Sequence, residues 1–87
     1  MENLREEVFE QVFRAGALRN VRLVMRDGRS SISFMTGDGS VGAIITKRGE
    51  VKQYRVETAL VFLRRCGFSS GDVDMSAWSL TEGSLNV

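Results

Sequence analysis

Between Val21 and Val56 apolar residues recur at close to every second position, and three glycine-bearing turns interrupt them at nearly regular intervals: Asp27-Gly28, Gly37-Asp38-Gly39 and Lys47-Arg48-Gly49. A period of two sends successive side chains to opposite faces of a strand, and Asp-Gly pairs are strong hairpin signals. The segment therefore predicts four antiparallel strands in a meander, over 21–26, 31–36, 41–46 and 51–56. In the first, Val21, Leu23 and Met25 share a face while Arg22, Val24 and Arg26 share the other, so one face packs and the other is wet and basic. In the second, Ile32 and Phe34 alternate with Ser31 and Ser33. The third, VGAIIT, is apolar on both faces and is expected to be central, with Gly42 a local weakness.

Helical spacing flanks this meander. Leu4, Val8, Phe9, Val12 and Phe13 recur every three to four residues and predict an amphipathic helix over 2–15, with acids near its start, Arg14 in its last turn and Gly16 as its cap. A second helix is predicted over 56–66, with Ala59, Leu60, Leu63 and Cys66 on one stripe, Arg64 and Arg65 outward, and Gly67-Phe68 as a cap glycine followed by an apolar contact. Val61 and Phe62 widen its apolar side, which predicts burial against the sheet together with the first helix or a partner subunit. Alternation over 73–80 predicts a fifth strand, and 81–87 a flexible tail. The expected fold is one small α+β domain over 1–87, an antiparallel sheet of four to five strands with two helices in the order α-β-β-β-β-α-β.

Eighty-seven residues suffice for one two-layered core and leave no room for a second lobe around a substrate. Apolar residues never run to the eighteen or more that a membrane span needs, and the acidic amphipathic start is unlike a secretory signal, so a cytoplasmic protein without membrane association is expected. The single cysteine, Cys66, has no disulfide partner, and with no histidine in the chain neither a Cys-His pair nor a common zinc cluster can form. Gly37-Asp38-Gly39 lacks the lysine and hydroxyl that end a phosphate loop and reads as a hairpin turn. Asp72 and Asp74 lack a third ligand at metal spacing, and no base accompanies the serines. No enzyme, metal or cofactor is expected. Trp78, Phe68, Met25, Met35 and Met75 read as core or cap residues. Exposure of Met35, Val24 and Val61 together would mark a dimer interface.

The net charge of +1 conceals a segregation: residues 17–55 hold eight cations against three acids, whereas 1–16 and 56–87 each hold two cations against four acids. Arg22, Arg26, Arg29, Lys47, Arg48, Lys52 and Arg55 fall on predicted strands or turns, with Tyr54 available to stack beside them. β-Ribbon proteins present cations to phosphates in this way, so these eight residues are the candidate nucleic-acid contacts. Lys52 and Tyr54 share one face and Gln53 and Arg55 the other, so the charge does not all converge. Edge-strand and turn charges that keep a sheet soluble are the plainer alternative.

The run ITKRGEVKQYRVETALVFLRRCGF, followed by VDMSAW, resembles the small ParC-type partition-associated proteins of bacterial plasmids. The resemblance rests on Arg48-Gly49, Tyr54, the Glu57 to Leu60 run, Phe62-Leu63-Arg64 and Gly67, and covers a third to a half of the chain. The chain departs from that pattern at Arg55, where a capping serine is expected, and in its longer meander. The resemblance implies a non-enzymatic accessory protein of a plasmid or mobile element, acting in partition or maintenance beside a partition-system protein. At the level of fold, a three-stranded sheet followed by a helix is also similar to the arm-binding domains of phage-type integrases, which lay the sheet in the DNA major groove. The expected function is thus DNA association through a basic sheet face by a homodimer. The alternative is a protein-interaction or dimerisation module without nucleic-acid binding, using Val61 and Phe62 as its interface.

Overall fold

The computed structural model describes residues 3–77. Six elements follow one another: helix α1 (Glu6–Arg14), strands β1 (Leu18–Arg26), β2 (Arg29–Thr36) and β3 (Val41–Ala43), helix α2 (Val56–Cys66) and strand β4 (Asp72–Ala77). The sheet order is β3-β2-β1-β4. β1, β2 and β3 are antiparallel neighbours, and the α+β class read from the sequence holds. β4 differs from the expected antiparallel arrangement because it lies parallel to β1. A parallel neighbour needs a long crossover, which the chain supplies through α2.

Both helices cover the same face of the sheet. Phe9 of α1 is fully buried and meets Phe34 of β2 at 5.7 Å and Phe62 of α2 at 5.9 Å between ring centroids. Leu23, Ile32, Ile44, Tyr54, Ala59 and Cys66 complete the buried cluster. α2 ends as its sequence predicts: Gly67 takes φ 120°, its N–H reaches the Leu63 carbonyl at 3.2 Å, and Phe68 stacks on Phe13 at 4.1 Å, locking the end of α2 to α1. Ala59 and Cys66 are buried on the helix stripe, whereas Leu60 and Val61 stay largely exposed.

Three local departures have identifiable causes. α1 begins at Glu6 rather than at residue 2 because Leu4 is drawn into a parallel bridge with Ile44, donating to Ala43 and accepting from Ile45 at 3.1 and 2.9 Å. VGAIIT is not central: β3 is the edge of the ladder, and the Leu4 bridge lies along its continuation. The expected fourth meander strand, 51–56, is not a strand, because its hydrogen bonds are divided between two neighbours. Lys52 donates to the Ile44 carbonyl at 2.9 Å, whereas Tyr54 exchanges two backbone bonds with Ser30 at 2.8 and 2.9 Å. The fifth strand read over 73–80 is observed as Asp72–Ala77. Its last three positions, Trp78 among them, and the tail 81–87 lie outside the described residues. Among the described residues no helix is long and apolar enough to cross a membrane.

Candidate nucleic-acid interface

With both helices on one face, the other face of the sheet is left open by the described residues. Its residues follow from strand register. On β2, Ser30, Ile32 and Phe34 are buried toward the helices, so Arg29, Ser31, Ser33 and Met35 point the other way. Their partners on β1 are Arg26, Val24, Arg22 and Arg19 respectively. Four arginines and two serines therefore share this one face. Arg26 and Arg29 are direct cross-strand partners beside the Asp27-Gly28 turn, an arrangement in which like charges repel and a bound anion relieves the repulsion.

Arg19 belongs to this face, and simple alternation does not place it there. Counting back from Leu23 in steps of two puts residue 19 toward the core. Between Arg19 and Arg22 the register slips by one residue, with Asn20 at φ 45° and its side-chain amide donating to the Met35 sulfur at 3.8 Å. This bulge turns Arg19 to the open side, opposite Met35. The signal was present in the sequence, since asparagine is enriched among residues that adopt positive φ.

Acids on β4 border the arginines. Arg22 Nη2 lies 4.0 Å from Asp72 Oδ2, with both side chains about half exposed or more. Asp74 accepts bonds from the backbone N–H and hydroxyl of Ser76 at 2.9 and 2.6 Å, which with the charges of Arg22 and Arg26 hold its carboxyl below the usual range. The open face is thus basic across β1 and β2 and acidic along the β4 edge. Beyond β2, the turn after the second strand is closed by Asp38, which accepts from Thr36 and Ser40 and has its carboxyl lowered to about 2.

The eight candidate contacts separate into three places. Arg22, Arg26 and Arg29 lie together on the open face. Lys47 and Arg48 occupy an exposed turn that Thr46 organises, its hydroxyl accepting the N–H of Arg48 and of Glu50 at 3.3 Å, and Lys47 lines a cleft with Glu6 and Glu7 at the start of α1. Lys52, Tyr54 and Arg55 lie on the helix side. Tyr54 does not offer a stacking surface: it is 5% exposed, and its hydroxyl donates to Glu6 Oε2 at 2.7 Å. Lys52 Nζ sits 3.0 Å from the same carboxylate and 5.4 Å from the Tyr54 ring centroid. These two residues hold α1 to the segment before α2 and face away from the arginine surface.

Burial alone would raise the Glu6 carboxyl, but the Tyr54 hydroxyl, the Lys52 ammonium and the Arg65 charge outweigh it and leave it lowered. Burial first, and the adjacent Glu6 second, push the Tyr54 phenol well up. Burial likewise raises the Cys66 thiol, with Glu10 adding to the effect, so the thiol stays protonated and unreactive at neutral pH. Among the described residues no group of three acidic, cysteine or histidine side chains is placed to hold a metal ion. Val61 is 56% exposed, while Phe62 is half-buried against Phe9 and Tyr54. Val24 and Met35 belong to the open sheet face, on the opposite side from Val61, so the three do not form one patch.

What the fold and site define is a two-layered α+β domain that presents an arginine- and serine-bearing sheet. Searches against family models, curated proteins and solved structures returned no match to this chain.

Proposed function

We propose that this protein is a non-enzymatic, DNA-associated accessory protein that contacts the phosphate backbone through the open face of its sheet. The observation that carries the reading is the uncovered cross-strand cluster of Arg19, Arg22, Arg26 and Arg29, with the like-charged pair Arg26/Arg29 at its end. Arginine forks suit phosphate oxygens, and Ser31 and Ser33 add short donors between them. The turn cations Lys47 and Arg48 lie apart from this cluster and act as peripheral contacts at most. The resemblance to ParC-type proteins supports placing the activity in partition or maintenance of a plasmid or similar element.

The test is fluorescence anisotropy of a labelled 20-base-pair duplex titrated with wild-type protein and with the Arg22→Glu/Arg26→Glu variant at low salt. Wild type binds in the micromolar range or tighter, and the charge-reversed variant does not, while circular dichroism stays unchanged. Equal binding by the two proteins, or none by wild type, overturns the reading.

A further inference from the structure

A second basic surface lies on the opposite side of the molecule. Residues 55, 58, 61, 62 and 65 fall at three- to four-residue spacing and therefore form one stripe along α2. This stripe is one wall of an open cleft of about 280 Å³, whose other wall is formed by Glu6 and the segment 52–54. Arg55 and Arg65 stand at the two ends. Both are exposed, and among the described residues neither has an acid within 4 Å. Between them Val61, 56% exposed, and the half-buried ring of Phe62 make an apolar centre.

We propose that this cleft docks an acidic peptide segment of a protein partner, with an apolar side chain on Val61 and Phe62 and carboxylates on Arg55 and Arg65. The occupant follows from charge and spacing. Ten residues separate the two arginines, about 15 Å along a helix axis, which an extended peptide covers in about five residues. A segment with acids flanking two apolar residues matches both ends and the middle. A nucleic-acid backbone matches less well, because the apolar centre of Val61 and Phe62 offers nothing to a phosphate chain, and the Glu6 carboxylate in the cleft wall is already paired with Lys52 at 3.0 Å. Because the arginines of the open sheet face take no part, a peptide here and a duplex there can be held at once.

The probe is a fluorescein-labelled hexapeptide, Glu-Asp-Leu-Phe-Asp-Glu, titrated by anisotropy against the full chain, with controls carrying lysine for every acid or alanine for Leu-Phe. Saturable binding is expected for the acidic peptide alone, weakened about tenfold or more by Arg55→Glu/Arg65→Glu and by Val61→Asp. Arg22→Glu/Arg26→Glu leaves it unchanged. All three sites are exposed, and a thermal melt of each variant checks that the fold persists. The proposal is overturned if the acidic peptide shows no saturable binding, or if the lysine control binds as well. It is also overturned if Arg55→Glu/Arg65→Glu lowers affinity for duplex DNA as much as Arg22→Glu/Arg26→Glu does, which would make the cleft a second phosphate contact. Duplex titration of the same variants keeps the outcome separate from that for the sheet face.

Discussion

Removing the Arg26/Arg29 pair should change how DNA affinity responds to salt, and the size of the change follows from the number of arginines on the open face. Each phosphate neutralised by a cation contributes about −0.9 to the slope of log affinity against log salt, so four arginines predict a slope of about −3.6. Between 50 and 200 mM salt that slope lowers affinity about 150-fold. The ion pair of Arg22 with Asp72 does not remove Arg22 from this count, because a 4.0 Å pair between exposed side chains contributes little and is readily exchanged for a phosphate. Arg26→Gln/Arg29→Gln leaves two contacts, a slope of about −1.8 and a fall of about 12-fold over the same range. Neutral glutamine is used so that the variant loses attraction without gaining repulsion. The assay is duplex anisotropy at four or more salt concentrations. A variant slope equal to that of wild type refutes the reasoning, as does an equal flattening by Lys47→Gln/Arg48→Gln, since those cations lie on a separate turn.

Three further outcomes follow from the geometry. Asp72→Asn/Asp74→Asn removes the acids beside Arg22 and should raise duplex affinity by roughly two- to fivefold at 50 mM salt, an effect that fades at 500 mM, measured by the same titration. The Glu6 carboxyl is lowered in the folded protein, so the stability it contributes is fully present above its ordinary value of 4.5 and is lost as pH falls through the lowered value. The melting temperature of wild type should therefore drop more steeply below pH 4.5 than that of Glu6→Gln, and parallel curves would exclude the Tyr54–Glu6–Lys52 contact as the cause. Phe9 is fully buried among Phe34, Phe62 and Phe68. Phe9→Ala should cost about 3–5 kcal/mol in urea unfolding, a large part of the roughly 5–15 kcal/mol that holds a domain folded, and a loss under 1 kcal/mol would show that α1 is not clamped to the sheet as described.

What was legible in the sequence was what local pattern encodes. The α2 stripe and its Gly67 stop, the first two strands and the division of β1 into an apolar and a basic side can all be read from neighbours in the chain. Distant partners are what hid the rest. Tyr54 and Lys52 look like residues of a basic strand until Glu6, 48 positions away from Tyr54, turns them inward. Segment 51–54 has the composition of a strand, yet its backbone bonds go to Ile44 on one side and Ser30 on the other, so no ladder forms. Alternation says that residues 72–77 are extended but not which strand receives them or in which direction. Arg19 lies ahead of the strand read over 21–26, and even with that strand begun at Leu18 the single-residue bulge inverts the face that alternation gives it.

The crossover that brings β4 beside β1 also orders events in time. β1 meets β2 across the two-residue turn at Asp27-Gly28, but it meets β4 only when positions 23 and 73 come together, closing a loop of fifty residues. Loop-closure entropy separates these two steps by about 3 kcal/mol. Val73 and Met75, each about half exposed, return little of that through burial. β4 is accordingly expected to dock after β1 and β2 have paired and to exchange its amide protons ahead of theirs, and equal protection of the three strands in hydrogen exchange would refute this order. Its departure takes Asp72 and Asp74 with it, so the transiently opened molecule carries a bare row of arginines and is more positive on that face than the closed one.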